Sequence, residues 1–149
     1  MSEITDNLIG LLDDFITSTG VNSSSLTTED GLVIAVNSEQ DEKEEEINYN
    51  FAAISASILS MAERGIEIIN TNKILEQIKI DAGLDQNINA DFTILITRVY
   101  SNVLLQIIYP KRINTGLIHF ETHKIIKQIK EIIQKDTSRS LFTNLGSLT

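Results

Sequence analysis

The sequence predicts a single α+β domain in which one five-stranded antiparallel sheet carries helices on both faces. Amphipathic helical patterns and short strand-like runs follow one another in the order α-β-β-α-β-β-β-α. The connections between neighbouring strand-like runs are too short for parallel crossovers, which favours antiparallel pairing. No β-α-β repetition is present, so a Rossmann or flavodoxin arrangement is disfavoured.

The helices and strands are predicted from the spacing of the hydrophobic residues and from the residues that favour turns. In chain order, we predict helix 3–18, strands 21–28 and 32–36, helix 47–70, strands 73–82, 91–99 and 102–109, and helix 115–135. We expect Ser2 to cap the first helix and Gly20 to end it. Residues 1–135 are predicted to form the domain, and residues 136–149 a tail that is flexible or docked as one short turn.

Asp30 and Gly31 separate the first two predicted strands. An Asp-Gly pair tolerates the positive φ values of a tight type I′ turn, and Gly adopts them at no steric cost. We therefore expect a two-residue hairpin turn with positive φ at Gly31.

The helix predicted over residues 47–70 has two apolar stripes, whereas a helix lying on one sheet face needs only one. The stripe expected to pack on the sheet contains Ile47, Phe51, Ile54, Ile58, Ala62 and Ile69. The second stripe, about 100° away, contains Ala52, Ala56, Leu59 and Ile66. Its small residues indicate close contact with something else, either a covering element of the same chain or a second subunit.

Charge is distributed unevenly along the chain. The net charge is −9, yet residues 1–50 contain twelve acidic residues and one Lys, and the remaining residues balance to +2. Nucleic acid is not expected as a partner, because its backbone requires clustered positive charge. The acidic peak at residues 39–46 is predicted to be a solvated loop. In the alternative interpretation, Glu44, Glu45 and Glu46 face a basic partner surface.

Composition limits the compartment and the available chemistry. Apolar residues make up 42% of the chain, which is typical of a soluble globular domain. No apolar run approaches the roughly 20 residues needed to cross a bilayer, and the acidic N-terminus is unlike a secretory signal. The absence of Cys removes disulfides, thiolate nucleophiles and Cys-ligated zinc. We therefore expect a cytoplasmic protein without membrane insertion.

Motif searches find no catalytic constellation. His119 and His123 are four residues apart, but the Glu between them is not in the position that a zincin motif requires, and no third metal ligand is indicated. The chain has no G-x-x-x-x-G-K-[ST] loop and no G-x-S-x-G elbow. We expect no enzyme, no cofactor and no metal site.

Three stretches carry a resemblance to a known family. They are "EDGLVIAV" after the first helix, the small-residue segment "FAAISASILSMAERG", and "NTGLIHFETHKIIKQI" at the entry to the closing helix. Together with the order and spacing of the elements, they resemble the Roadblock dynein light chain family, prokaryotic type, over nearly all of residues 1–135. Two features depart from the family pattern: the first strand is more polar than usual, and His119 stands where prokaryotic members often have Arg.

The resemblance implies the profilin-like Roadblock architecture and a non-enzymatic module that forms homodimers, or heterodimers with a paralogue. In that family the middle helices of two subunits pack together, the third strands meet to extend the sheet, and the dimer docks a Ras-like small GTPase. The implied dimer residues are Ala52, Ala56, Leu59, Glu63, Ile66, Ile78 and Ile80, and the implied fold-motif residues are Asp30, Gly31 and Gly116. The sequence leaves open which GTPase binds and whether it is activated, inhibited or only localised.

Two other functional classes stay open. A small-molecule sensor of the PAS or GAF type also wraps helices around a five-stranded antiparallel sheet. It needs a pocket, and the sequence shows no polar cluster among apolar residues to line one. A longin- or profilin-like adaptor for trafficking or the cytoskeleton is the other, although longin domains begin with strands. A bound small molecule would favour the sensor, and a dimer that depends on Leu59 would favour the Roadblock interpretation.

Overall fold

The computed structural model describes residues 2–83 and 91–147, with side chains described as far as residue 137. Its elements are α1 (Glu3–Thr19), β1 (Ser23–Thr28), β2 (Val33–Val36), α2 (Glu42–Ile69), β3 (Gln77–Ala82), β4 (Phe92–Tyr100), β5 (Val103–Pro110) and α3 (Thr115–Ser147). The strands pair antiparallel in one sheet of order β2-β1-β5-β4-β3. Helices α1 and α3 lie on one face and α2 on the other. The predicted fold class and element order are confirmed.

The larger part of the core lies between the sheet and the layer formed by α1 and α3. Its fully buried members include Leu12 and Ile129 from the helices and Leu26, Leu105 and Ile107 from the sheet. The small side chain of Ser24 allows α1 to approach β1 closely, and its hydroxyl donates to the carbonyl of Leu12 at 3.2 Å. The polar character of this strand therefore serves the packing of α1.

The predicted ends of α1 are confirmed. The hydroxyl of Ser2 accepts a hydrogen bond from the Thr5 amide at 3.2 Å, which satisfies one of the free donors of the first turn. Gly20 has φ +80° and ends the helix in the left-handed conformation.

The acidic stretch at residues 39–46 is only partly a loop, which corrects the prediction. Asp41 is the N-cap of α2, and its carboxylate accepts from the Glu44 amide at 2.8 Å. Glu42, Glu44 and Glu45 lie in the first turn. Carboxylates at this end interact favourably with the positive pole of the helix dipole. The negative charge that suggested a loop therefore favours an earlier start of the helix.

The β1–β2 turn is longer than predicted. The Gly31 amide donates to the Thr28 carbonyl at 3.1 Å, and the Thr28 amide donates to the Leu32 carbonyl at 2.9 Å. This arrangement is a three-residue loop of Glu29, Asp30 and Gly31, with Gly31 in the left-handed conformation, rather than the predicted two-residue type I′ loop. The positive φ predicted for Gly31 is confirmed at +90°. Asp30 lies exposed within the turn.

Helix α3 continues to Ser147, beyond the end predicted at residue 135. Residues 136–147 are part of this helix, and no Pro and only one late Gly interrupts them. Asn114 caps the helix, and its side-chain oxygen accepts from the amides of Gly116 at 2.7 Å and Leu117 at 3.3 Å. Neither α3 nor any other helix in residues 2–83 and 91–147 is both long and apolar enough to cross a membrane.

Candidate protein-interaction surface

The face of α2 that packs on its own sheet is built from small and polar residues. Asn48, Ala52, Ser55 and Leu59 are its buried members. Their spacing follows one side of a helix, which runs from Asn48 beside β1 to Leu59 over β4 and β5. Asn48 accepts a hydrogen bond from the Ser23 hydroxyl at 3.4 Å. A layer of buried polar side chains therefore exists beneath α2, which the sequence pattern did not indicate.

The hairpin turn explains the alanines of this helix. A Cβ placed on Gly31 would lie 3.1 Å from the Cα of Ala53, 3.3 Å from the Ala52 carbonyl and 3.4 Å from the Cβ of Ala56. The β1–β2 turn therefore packs closely on α2, because the small alanine side chains leave room for it. The sequence left open whether an element of the same chain or a second subunit covers the second apolar stripe of α2. At Ala52 and Ala56, the element observed is the β1–β2 turn of the same chain.

Leu59 belongs to the core of the subunit. It is 4% exposed and packs with Ile96 of β4 and Leu104 of β5. Ala52 is 1% exposed. Neither of these two residues is accessible on the folded chain, so in this structure both lie inside the subunit rather than on its accessible surface. Ile66, one further turn along, is half-buried and keeps some accessible surface.

Glu63 is engaged within the chain by a cation that sequence reasoning missed. Arg98 of β4 donates to Glu63 of α2 and to Glu29 of the β1–β2 turn. Its Nε also donates to the Leu75 carbonyl at 2.9 Å. The available signal was a single Arg inside the apolar strand "FTILITRVY", because a charge in such a place requires partners.

The outer side of α2 carries a row of exposed and half-buried, mostly apolar residues, which we call the α2 seam. Its members are Ile47, Phe51, Ile54, Ile58, Met61, Gly65 and Ile68. They recur at alternating intervals of four and three residues, the heptad spacing of helices that pack side by side. Ile54, Met61 and Ile68 are 52%, 66% and 87% exposed. Ile47 and Ile54 were expected on the sheet and instead face outward, because the smaller second stripe takes the sheet side.

The seam continues onto a half of the sheet that the helix leaves open. Ile78 and Ile80 of β3 are half-buried, and their register partners Ile96 and Ile94 lie on the same face of β4. A groove of about 580 Å³ lies between α2 and the neighbouring parts of β1, β4 and β5, and Phe51, Phe92 and Ile94 contribute to its apolar walls. Ile78 and Ile80, both singled out from the sequence, thus lie beside the seam.

The acidic residues singled out from the sequence form an exposed group at the N-terminal end of α2. Glu44, Glu45 and Glu46 are all exposed. Glu44 also contributes to the mouth of the 580 Å³ groove. The fold therefore places this negative charge next to the start of the apolar seam.

The rings of His119 and His123 meet edge to face on the outside of α3, at an interplanar angle of 87°. Their Nε2 atoms are 3.2 Å apart, and both side chains are exposed. In the described part of the chain, no group of three or more His, Asp or Glu side chains is placed to hold a metal ion. The pair supplies two nitrogen ligands at most, fewer than the three protein ligands of a catalytic zinc site.

Two titratable groups on the α3 side of the sheet are perturbed. The Thr93 hydroxyl donates to Asp81 at 2.6 Å and holds the pKa of this carboxyl below its ordinary value. Burial raises the pKa of Tyr109, and the charge of Asp81 raises it further. This cluster lies on the face opposite α2, so it is not part of the seam.

Comparison with solved structures defines the class of this fold. The chain superposes on Myxococcus xanthus MglB with a TM-score of 0.74 at 16% identity, covering 91% of this chain and 93% of that one. MglB in a tetrameric arrangement gives 0.73 at 11% identity, with 91% and 93% covered. A Roadblock/LC7 domain from Streptomyces avermitilis gives 0.67 at 14% identity, with 84% and 96% covered.

The chain therefore has the fold of Roadblock domains, and the resemblance read from the sequence is confirmed at this level. Roadblock/LC7 domains and MglB are among the solved structures that it resembles. The sequence itself matches no family model and no curated protein.

Proposed function

We propose that this chain is a non-enzymatic, cytoplasmic Roadblock module that forms a dimer through the α2 seam and binds a Ras-like small GTPase. The observation that carries the proposal is the continuity of the exposed seam with the open half of the sheet. Monomeric soluble proteins rarely expose apolar surface of this extent, and such patches are typical of protein–protein interfaces.

The geometry supports a twofold arrangement. The α2 seam has the spacing needed to pack against a second copy of itself. β3 is the last strand of the sheet, and in the described residues its outer edge pairs with no strand. Two copies can therefore place their seams side by side while their β3 edges meet. The MglB structure in a tetrameric arrangement is an example of self-association on this fold. We expect a buried area of about 1,200–2,000 Å² in total.

Light scattering on purified protein tests the dimer. Replacing Ile54 and Met61 together with Glu puts charges into the seam on both subunits, where they are unpaired once buried. We expect the wild type to be dimeric at tens of micromolar and the double variant to be a folded monomer. Ser60→Glu is the matched control, because Ser60 is exposed on the other flank of the same helix. A monomeric wild type, or equal dissociation by Ser60→Glu, contradicts the proposed interface.

Affinity capture with immobilised protein tests the GTPase. We expect a Ras-like GTPase from the native cytosol to be retained, with retention that changes on addition of a GTP analogue. The seam variant, being monomeric, should retain less. If no small GTPase is retained in any nucleotide state, this part of the proposal is wrong even if the dimer forms.

One observation keeps a second function under consideration. The 580 Å³ groove combines apolar walls with polar groups such as Ser23 and Asn48, which is the chemistry of a small-molecule site. The argument against a sensor was the lack of such polar groups, and the structure supplies them. Native mass spectrometry of the purified protein discriminates, because a co-purifying small molecule would favour the sensor.

A further inference from the structure

The edge of the sheet opposite β3 is also open. In the residues that the structure describes, β2 pairs with β1 and with no other strand. The Asn37 amide donates to the Ser24 carbonyl at 3.1 Å, and Leu26 lies opposite Ala35. Because inward and outward main-chain groups alternate along an antiparallel pair, the N–H and C=O of Val36 point away from β1. This edge offers a donor and an acceptor for a further strand.

The open edge lies in a groove, which we call the β2 groove, with a volume of about 570 Å³. Asp6 and Ile9 of α1 line one wall, and Glu45 and Tyr49 of α2 line the other. Tyr49 is 62% exposed. Each wall therefore pairs one apolar or aromatic side chain with one carboxylate, so both faces of an incoming strand would meet the same chemistry.

The fold places the acidic part of the sequence around the β2 groove and so gives this groove a negative electrostatic potential. The elements around the β2 groove come from residues 1–50, which contain twelve acidic residues and Lys43 as the one basic residue. No Lys or Arg lines the groove in the described part of the chain. A second copy of this edge would bring like charges together, which disfavours β2-to-β2 pairing. The field instead favours a cationic occupant.

We propose that the β2 groove binds an extended, Lys- or Arg-containing segment of a partner protein, which adds a strand to β2. Main-chain hydrogen bonds to the edge would provide part of the affinity, as in other strand-addition complexes. The long stems of Lys or Arg would cover Ile9 and Tyr49, while their charged ends reach Asp6 and Glu45. The site lies at the edge opposite β3, so it is free in a monomer and in the proposed dimer alike.

A labelled peptide of repeated Lys-Lys-Val-Val, which presents Lys on both faces when extended, tests the site by fluorescence anisotropy. Two control peptides separate the contributions: one replaces Lys with Glu, and the other carries N-methyl groups that remove its main-chain donors. We expect the Lys peptide to bind and both controls to bind at least tenfold more weakly. Amide exchange at Val36 should slow when the Lys peptide binds. If the N-methylated peptide binds equally well, the contact is nonspecific charge attraction and the strand-addition proposal is wrong.

Variants of the protein locate the contact. Asp6→Asn with Glu45→Gln neutralises both walls, and we expect roughly fivefold weaker binding at low salt, since exposed charge pairs contribute modestly. The matched control neutralises Glu121 and Glu131 on α3 and should leave affinity unchanged. Equal losses in both double variants, or no binding of the Lys peptide at millimolar concentration, would overturn the proposal. Because the seam is untouched and the peptide measurements contain no GTPase, these results are independent of the dimer and GTPase tests.

Discussion

Arg98 of β4 and Glu63 of α2 form an ion pair, with 2.7 Å between Nη2 and Oε1. The same guanidinium pairs with Glu29 and reaches the main chain at Leu75 and Ser101. One side chain thus joins the sheet, the middle helix, and both hairpin turns at this end of the molecule. The guanidinium is largely buried, whereas its two carboxylate partners are partly exposed.

Arg98→Met should lower the free energy of unfolding by about 1–3 kcal/mol, since it leaves carbonyls and carboxylates without their donor. The estimate lies below that for a fully buried pair because both Glu side chains keep contact with water. Urea denaturation measures the change. Arg64→Met, on the exposed side of α2, is the control and should alter stability by less than about 0.5 kcal/mol. Equal effects of the two substitutions would show that the Arg98 contacts contribute nothing.

Leu59 and Ile54 should respond in opposite ways to truncation. Leu59→Ala removes buried methyl groups from the cluster with Ile96 and Leu104, at a cost of about 2–5 kcal/mol to the fold. Ile54→Ala, at an exposed position, should leave the thermal stability of a monomeric background within about 0.5 kcal/mol but weaken the dimer. Melting curves and light scattering on both variants separate the two effects. A stable Leu59→Ala protein that loses its dimer would restore the original interface assignment.

Gly31→Ala should destabilise the fold by about 1–3 kcal/mol. The added Cβ meets the main chain of α2 at 3.1 Å while φ is held at +90°, so close contact and backbone strain act together. Gly10→Ala is the matched control, because Gly10 lies in α1 with nothing near its Cβ position and the substitution should stabilise by about 0.5–1 kcal/mol. Chemical denaturation gives both values. An unchanged Gly31→Ala protein would mean that the hairpin turn moves away from α2 easily.

Neutralising Glu44, Glu45 and Glu46 to Gln should slow association with the proposed GTPase. Exposed charges act over a Debye length of about 8–10 Å near physiological salt, so added salt should reproduce the effect in the wild type. Stopped-flow association rates at two salt concentrations provide the measurement. Neutralising Glu76, Glu121 and Glu131 changes the net charge equally and serves as control. If the α2 triple variant associates at the wild-type rate, its acidic group has no steering role.

Thr93→Val should raise the pKa of Asp81 towards its ordinary value, because the hydroxyl that stabilises the carboxylate is lost. A depressed pKa in the folded state contributes stability that is present above the unfolded pKa and is lost as the pH falls through the folded one. The difference in stability between wild type and variant should therefore shrink in acid. A carboxyl titration by NMR reads the pKa directly. Thr97→Val, also buried in β4, should leave it unchanged.

The sequence alone determined the local features of this protein, such as its helix ends and its turn conformation. The caps at Ser2 and Gly20, the order of the eight elements, and the positive φ at Gly31 all depend on neighbours in the chain, and all were predicted correctly. The start of α2 was predicted too late because the run of Glu suggests solvent exposure, which a first helical turn also provides.

The direction in which α2 faces was decided only by tertiary structure. The sequence shows two apolar stripes on α2 but not which of them packs on the sheet. The stripe with the larger side chains, which includes Ile54, was expected to be the buried one. Instead, the close approach of Gly31 accepts Ala52, and Ile96 and Leu104 of the sheet pack on Leu59, so the smaller stripe takes the sheet side. Packing depends on the shape of the opposing surface, which is assembled from strands distant in sequence, and this exposes Ile54, Met61 and Ile68.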